Sequence, residues 1–470
     1  MRSRTALPKA ATVTVAVATL AALLSACSSG GASASAGSTN PLTPTPMAST
    51  TGTPLAVGAA DWTTFHRDNA RTGVAQGVAR PGTLSVAWRA KLDGAVYGQP
   101  LLLGGMVIAA TEGDSIYGLS PSDGHVLWHT SLGRPEPLSA LPCGNIDPLG
   151  ITSTLAYDPV TGSLFVLAET LGKHHLLAAL DPATGGVRWS RNAEPTTGSA
   201  PDSQQRGALT VAFGRVYIPY GGLAGDCGNY VGSVVSVPTT SATGELQAYA
   251  VPTPRNGGIW TPGGVVVHDN TLLAAVGNGA ETGTYDGSDS VLALTPDLKR
   301  ADFFAPTTWA ADNDADLDLG SMSPTVVNGY VLIAGKRGTA YVMQAGHLGG
   351  IGGQLVEQQL CAAYGAAAVD GTTAYLPCHG GIRAVTVTAK GITVLWQANP
   401  EAAADPPAVG GGAVWSMDDV SGVLYALDQT TGKMLAQINV GKAPHFASPT
   451  LAPGRAYVGT LDGVTAVSGV

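Results

Sequence analysis

The chain has 470 residues, 44% hydrophobic and 12% charged, with 63 glycines, 31 prolines and a net charge of −9 at pH 7. Such a length buries one large core or two smaller ones, and the glycine and proline content suits many turns rather than long helices. An acidic chain without a Lys/Arg cluster has no basic face to displace counterions from phosphates, which excludes nucleic acid as a partner.

The chain opens on a positive segment, Arg2, Arg4 and Lys9, followed by an apolar run from Ala10 to Leu24. Residues 1–27 therefore read as an export signal. Its end, Leu24-Ser25-Ala26-Cys27, resembles the lipobox of bacterial lipoproteins. The resemblance implies acylation of the Cys27 thiol and anchoring at the outer face of the cell membrane. An ordinary cleaved signal or an uncleaved anchor remains the alternative. Residues 28–59 are rich in Ser, Gly, Thr, Ala and Pro, with too few large apolar groups to fold, and are expected to form a disordered tether. No later stretch is long and apolar enough to span a bilayer.

From about residue 85 the chain alternates short β-rich runs with turn residues, and no convincing amphipathic helix interrupts them. One unit recurs: three strands, the third ending in Ala-Leu-Asp or similar, then a Thr-Gly turn and a fourth strand ending in Trp. Clear copies are Leu177-Ala178-Ala179-Leu180-Asp181 running to Trp189, and Leu424-Tyr425-Ala426-Leu427-Asp428 with Thr431-Gly432. Four-stranded repeats of this size are propeller blades. Seven begin near residues 98, 150, 205, 257, 319, 360 and 404, and an eighth near His445 has only three strands before Val470. Ser85–Ala90, with Trp88, supplies the missing fourth strand and closes the ring. The expected fold is all-β, an eight-bladed propeller over 60–470, with seven blades as the alternative. Four cysteines remain after Cys27, an even number that favours two disulfides in an exported protein. Of three possible pairings, Cys143–Cys227 with Cys361–Cys378 is expected. No CxxC pair or His spacing suggests zinc.

The Ala-Leu-Asp-x-x-Thr-Gly-x-x-x-Trp unit is similar to the blade repeat of pyrroloquinoline-quinone (PQQ) dehydrogenases. It is also similar to that of the propeller lipoprotein that assists outer-membrane β-barrel assembly. Residues 61–68 with Arg71-Thr72-Gly73 resemble the segment preceding the first blade in quinoproteins. The resemblance implies a quinoprotein-like propeller and specifies fold more than activity, since the repeat packs blades together.

Loops joining consecutive blades, and those between a blade's second and third strands, share one face. Sorted this way, Asp226, Trp260, Asn278, Asp312–Asp318, Lys336 and all four blade cysteines lie on that face. The resemblance gives them roles. Trp260 would be the stacking floor under a flat quinone, and Lys336 the cation on its oxygens. Asp316 would be the catalytic base, and Asn278, Asp226 and Asp318 would be ligands of a metal such as Ca²⁺. Two departures stand against it: no Cys-Cys dipeptide exists, and the family's metal-binding Glu is at best the shorter Asp226. Each residue also has a plain reading. Trp260 plugs the channel, Asn278 is a turn residue with positive φ, the acidic run is a solvated loop, and Lys336 pairs with a carboxylate. His174 and His175 fall at a blade edge, and His379 and His445 stand isolated. No GxSxG, HExxH or P-loop pattern occurs.

The expected function is that of an exported, lipid-anchored, monomeric binding or scaffold protein. It would take a protein, glycan or small ligand on the disulfide-bearing face. The alternative is a PQQ- and Ca²⁺-dependent alcohol or sugar dehydrogenase, with other propeller enzymes such as glycan lyases or hydrolases behind it.

Overall fold

Three features of the repeat build each blade. The inner strands are short and mostly apolar, as in Leu101–Leu103, because they face the neighbouring blades on both sides. The middle strands are buried along almost their whole length, as in Ser163–Thr170. The fourth strand meets solvent and is largely exposed, as in Val126–Ser131. Beyond these three, the blades are joined at a seam. Asp428 Oδ1 accepts from the Thr430 and Thr431 backbone N–H groups and from the Thr431 hydroxyl, which winds the Thr-Gly turn. Gly432 (φ 68°) then lies directly beneath the Trp396 indole of the preceding blade, where a Cβ would come within 2.4 Å of the ring. Gly185 (φ 73°) lies beneath Trp128 in the same way. The Thr-Gly…Trp signature is therefore a lock between blades: the glycine admits the left-handed turn and the flat ring that covers it.

The computed structural model describes residues 54–398 and 404–470, all within one compact unit, Met47–Val470. The export signal, Cys27 and residues 28–53 of the expected tether lie outside the described residues. Packing against the propeller is under way by Leu55, whose carbonyl accepts from Tyr157 Oη at 2.9 Å. Eight sheets follow one another around the ring, each built on four antiparallel strands. They span residues 101–131, 156–192, 203–250, 266–305, 325–359, 368–397, 408–439 and 450–468. Ser85–Lys91 completes the last blade, with Ser85 opposite Ser468 and Lys91 opposite Gly463. The ring thus has eight blades and not seven, closed as the repeat count requires. Gly350–Ile351, an excursion of blade 5, pairs in parallel with Phe304–Ala305 of blade 4. Among the described residues no helix is long and apolar enough to cross a membrane.

One short α-helix, Trp309–Ala315, replaces the first part of the expected acidic loop. It is too short and polar to show a helical period. Arg337 pairs with its buried Asp312, and Asp316 ends it in the left-handed conformation at φ 54°.

The channel is sealed from one side by residues 62–75, and not by Trp260. Trp62 Nε1 donates to Leu451 O of blade 8 and its backbone pairs with Leu102 of blade 1. Thr63 accepts from Tyr157 of blade 2, and Asn69 from Val267 of blade 4. Arg71 bonds Thr210 of blade 3, Thr72 accepts from Val369 of blade 6, and Gly73 from Val409 of blade 7. Phe65 wedges between Ala208 and Ala366, from opposite parts of the ring. His66 stacks on Phe65 with its pKa lowered to about 3 by burial, so it is neutral there. Every blade but the fifth holds this segment by a bond named here, which makes the channel a dead end.

Candidate functional site

Above the plug the channel widens into a funnel of about 940 Å³, open on the face of the inter-blade and second-to-third-strand loops. Asp226, Trp260, Asn278, Asp316, Asp318 and Lys336 all line it. The sequence face rule therefore converges on one cavity, although these residues come from three blades.

Trp260 is clamped rather than free. Its Nε1 donates to Gly222 O at 3.0 Å. A Cβ on Gly221 or Gly277 would lie 2.5 or 2.4 Å from the indole, so bare backbone lines the slot. The ring is partly exposed to the funnel, a rigid aromatic surface held ready for stacking.

Beside it lies a closed polar network. Asn278 N donates to Asp318 Oδ1 at 2.7 Å, and its Nδ2 to Asp316 Oδ1 at 2.9 Å. Asn278 does not take the positive φ of a turn asparagine; its side chain is spent on the network instead. Lys336 Nζ sits between the two aspartates, 3.0 Å from Asp316 Oδ1 and 2.5 Å from Asp318 Oδ2. Burial works against both charges. In Lys336 the two carboxylates outweigh it and hold the ammonium's pKa above its usual value. In Asp318 burial prevails over Lys336 and the Asn278 N–H, and the carboxyl's pKa is raised. Asp226 is likewise raised by burial, although Tyr230 Oη donates to its Oδ1 at 2.6 Å.

These oxygens can be tested against the cation that the resemblance implies. A hard divalent ion wants six to eight oxygen ligands. Asp318 spends one oxygen on Asn278 and the other on Lys336, and Asp226 spends one on Tyr230. Among the described residues no three His, Cys, Asp or Glu side chains gather closely enough to hold a metal. Asn278 Oδ1 is buried and without a partner, and the second oxygens of Asp226 and Asp316 are the other spare acceptors. The set fits a flat ligand over Trp260 beside Lys336; it does not fit a calcium shell, because the lysine ammonium already holds the place between the carboxylates.

Both disulfides brace the rim. Cys143–Cys227 ties the loop between blades 1 and 2 to the Asp226 loop, with Cα atoms 6.1 Å apart. Cys361–Cys378, 5.7 Å apart, ties the lead-in of blade 6 to the end of its second strand. His379 and His445 are not isolated. Both line the funnel, and His445 Nδ1 lies 2.6 Å from Asp419 Oδ2. His175 is buried, bonded through Nδ1 to Glu194 Oε2 at 2.6 Å.

Sequence reasoning missed the opposite wall: Arg206, Asp405, Asp419 and Phe446. Their blade positions match those of Trp260 and Asn278, so the same face rule would have found them. Behind this wall are buried carboxyls that no cation pairs directly among the described residues. Burial pushes Glu112 up to about 8 and Asp114 up to about 8. Glu112 Oε1 and both Asp114 oxygens have no hydrogen-bond partner.

Residues 49–287 match the family model described as outer membrane protein assembly factor BamB. A polyvinylalcohol dehydrogenase of Sphingopyxis sp. (strain 113P3) is 25% identical over 288 residues, which are 54% of this chain and 40% of that protein. The chain thus spans well under half the length of this curated relative. Among solved structures, quinohemoprotein alcohol dehydrogenase ADHIIG from Pseudomonas putida HK5 superposes with a TM-score of 0.65 at 15% identity, over 87% of this chain and 80% of that one. The quinohemoprotein alcohol dehydrogenase of Comamonas testosteroni gives 0.64 at 17%, over the same shares. BamB from Moraxella catarrhalis gives 0.55 at 16%, over 82% and 97%. At such identities these structures share the fold alone.

Proposed function

The chain belongs to the outer membrane protein assembly factor BamB family, and from that premise we propose that it is an exported, lipid-anchored binding propeller whose funnel takes a small, flat ligand over Trp260. Anchoring is through Cys27 to the outer face of the cell membrane, and the working unit is a monomer. The observation that carries the reading is the dead-end funnel itself. Residues 62–75 close it below, two disulfides brace its rim, and a clamped indole with a fixed ammonium lines its wall. A concave site with an aromatic surface and a few placed polar groups is built for a small molecule rather than for a flat protein partner.

A second reading is favoured by the convergence of the same six residues on one cavity: a PQQ-dependent dehydrogenase, a group that would supply hydride or electron acceptance when bound. In that reading Trp260 would support the ring, Lys336 would hold its oxygens, and Asp316 would take up a proton at its carboxylate. The engagement of Asp318 by Lys336 places the binding reading ahead.

PQQ is the probe that separates the two. The purified full chain should show tryptophan quenching and a raised melting temperature on titration with PQQ, both lost in Trp260→Ala. No alcohol-dependent dye reduction should accompany it. Absence of quenching would retire the funnel as a site for flat ligands, and dye reduction driven by an alcohol or sugar would install the dehydrogenase reading instead.

A further inference from the structure

Arg206, at the start of blade 3, does not stay in its own blade. It reaches across the funnel, and its Nη2 donates to His445 O at 3.1 Å. Its guanidinium carbon lies 4.8 Å from the Phe446 ring centroid and 5.5 Å from that of Tyr97. Two aromatic faces therefore hold the planar cation, leaving its edges for hydrogen bonds. Among the described residues no carboxylate forms an ion pair with Arg206. That contrasts with Lys336 in the same cavity, which has two.

A second unspent group stands on this wall. Asp405 is buried, and its Oδ1 accepts from Phe446 N at 2.8 Å, while Oδ2 has no partner. Burial lifts its pKa well above the usual carboxylate value, which favours the protonated form. A planar, fixed guanidinium thus shares the funnel wall with a buried carboxyl whose second oxygen is unspent.

We propose that Arg206 and Asp405 form a subsite for a carboxylate group on the ligand, on the side of the funnel opposite Trp260. The inference rests on the reading of the funnel as a small-ligand site. It adds the chemical class: an organic anion carrying a single negative charge at this end. The fork of the guanidinium matches a carboxylate in plane and spacing. A doubly charged phosphate is disfavoured, because Asp226, Asp316, Asp318 and Asp419 line the same cavity.

Calorimetric titration of the full chain at pH 7 with benzoate, benzamide and inorganic phosphate tests this. Benzoate should bind at least about tenfold more tightly than benzamide, its uncharged analogue, and phosphate should give no heat over the same range. Arg206→Met should weaken benzoate at least about tenfold. If that variant does not fold, Arg206→Lys keeps the charge without the fork and should still weaken benzoate while leaving benzamide unchanged. Equal affinity for benzoate and benzamide, or unchanged benzoate affinity in a folded Arg206 variant, overturns the subsite. PQQ quenching measured on the same samples distinguishes the two failures. PQQ bound without a benzoate preference removes the subsite alone, and neither ligand bound removes the funnel reading with it.

Discussion

The two walls of the funnel use charge in opposite ways. On the side of blades 4 and 5, Lys336, Asp316, Asp318 and Asn278 spend most of their hydrogen bonds on one another, leaving Asn278 Oδ1 over. On the side of blades 7 and 8, Arg206 has no direct carboxylate partner, Asp405 keeps a bare oxygen, and Glu112 and Asp114 lie behind it with oxygens left unbonded. A satisfied network fixes shape, whereas an unsatisfied one stores the capacity to bind something. The first wall is therefore the frame of the site and the second its recognition surface.

The contrast is sharpest in how stability responds to pH. Glu112 titrates near 8 in the fold against an ordinary 4.5, so the native state holds a proton that the unfolded chain releases. Raised carboxyl values mean that stability is complete below about pH 4.5 and is lost as the pH rises through about 8. Asp114 acts with the same sign. The groups facing Glu112 are the Gly150 N–H, Thr152, Glu169 and Arg206. Urea denaturation at pH 5, 7 and 9 should show a decline on the order of 4 kcal/mol, flattened in Glu112→Gln. A pH-independent midpoint would show that these acids are compensated after all.

A smaller effect distinguishes the two cations. Lys336→Met leaves the buried Asp318 without its countercharge and should cost about 3 kcal/mol in urea denaturation. Arg206→Met strands no carboxylate and should cost about 1 kcal/mol or less, chiefly lost ring contacts. Equal losses would abolish the distinction between frame and recognition surface.

The blades were legible because their seams are local: Asp428, Thr431 and Gly432 stand within five residues, and Gly185 and Gly124 repeat the lock under Trp128 and Trp88. The disulfide pairs and the six residues of the first wall were legible too, since loop order alone assigns them to one face. The helix Trp309–Ala315 was hidden by its shortness and its acidic surface. The plug was hidden because residues 62–75 hold the blades through single bonds scattered around the ring, which the resemblance to an entry segment does not reveal. The second wall lay within reach of the same face rule, but the contact that joins it did not show in the sequence. Arg206 meets His445 across 239 positions, and neither residue carries a motif.

The central claim is that the funnel binds a flat ligand without a metal, because Lys336 already stands where a cation would. Calorimetric titration of the full chain with PQQ, once with EDTA and once with millimolar CaCl₂, tests it most directly. The account predicts dissociation constants that agree within about threefold, a difference under about 1 kcal/mol. Binding that appears only with calcium would contradict it, and would mean that Lys336 yields its place to the ion.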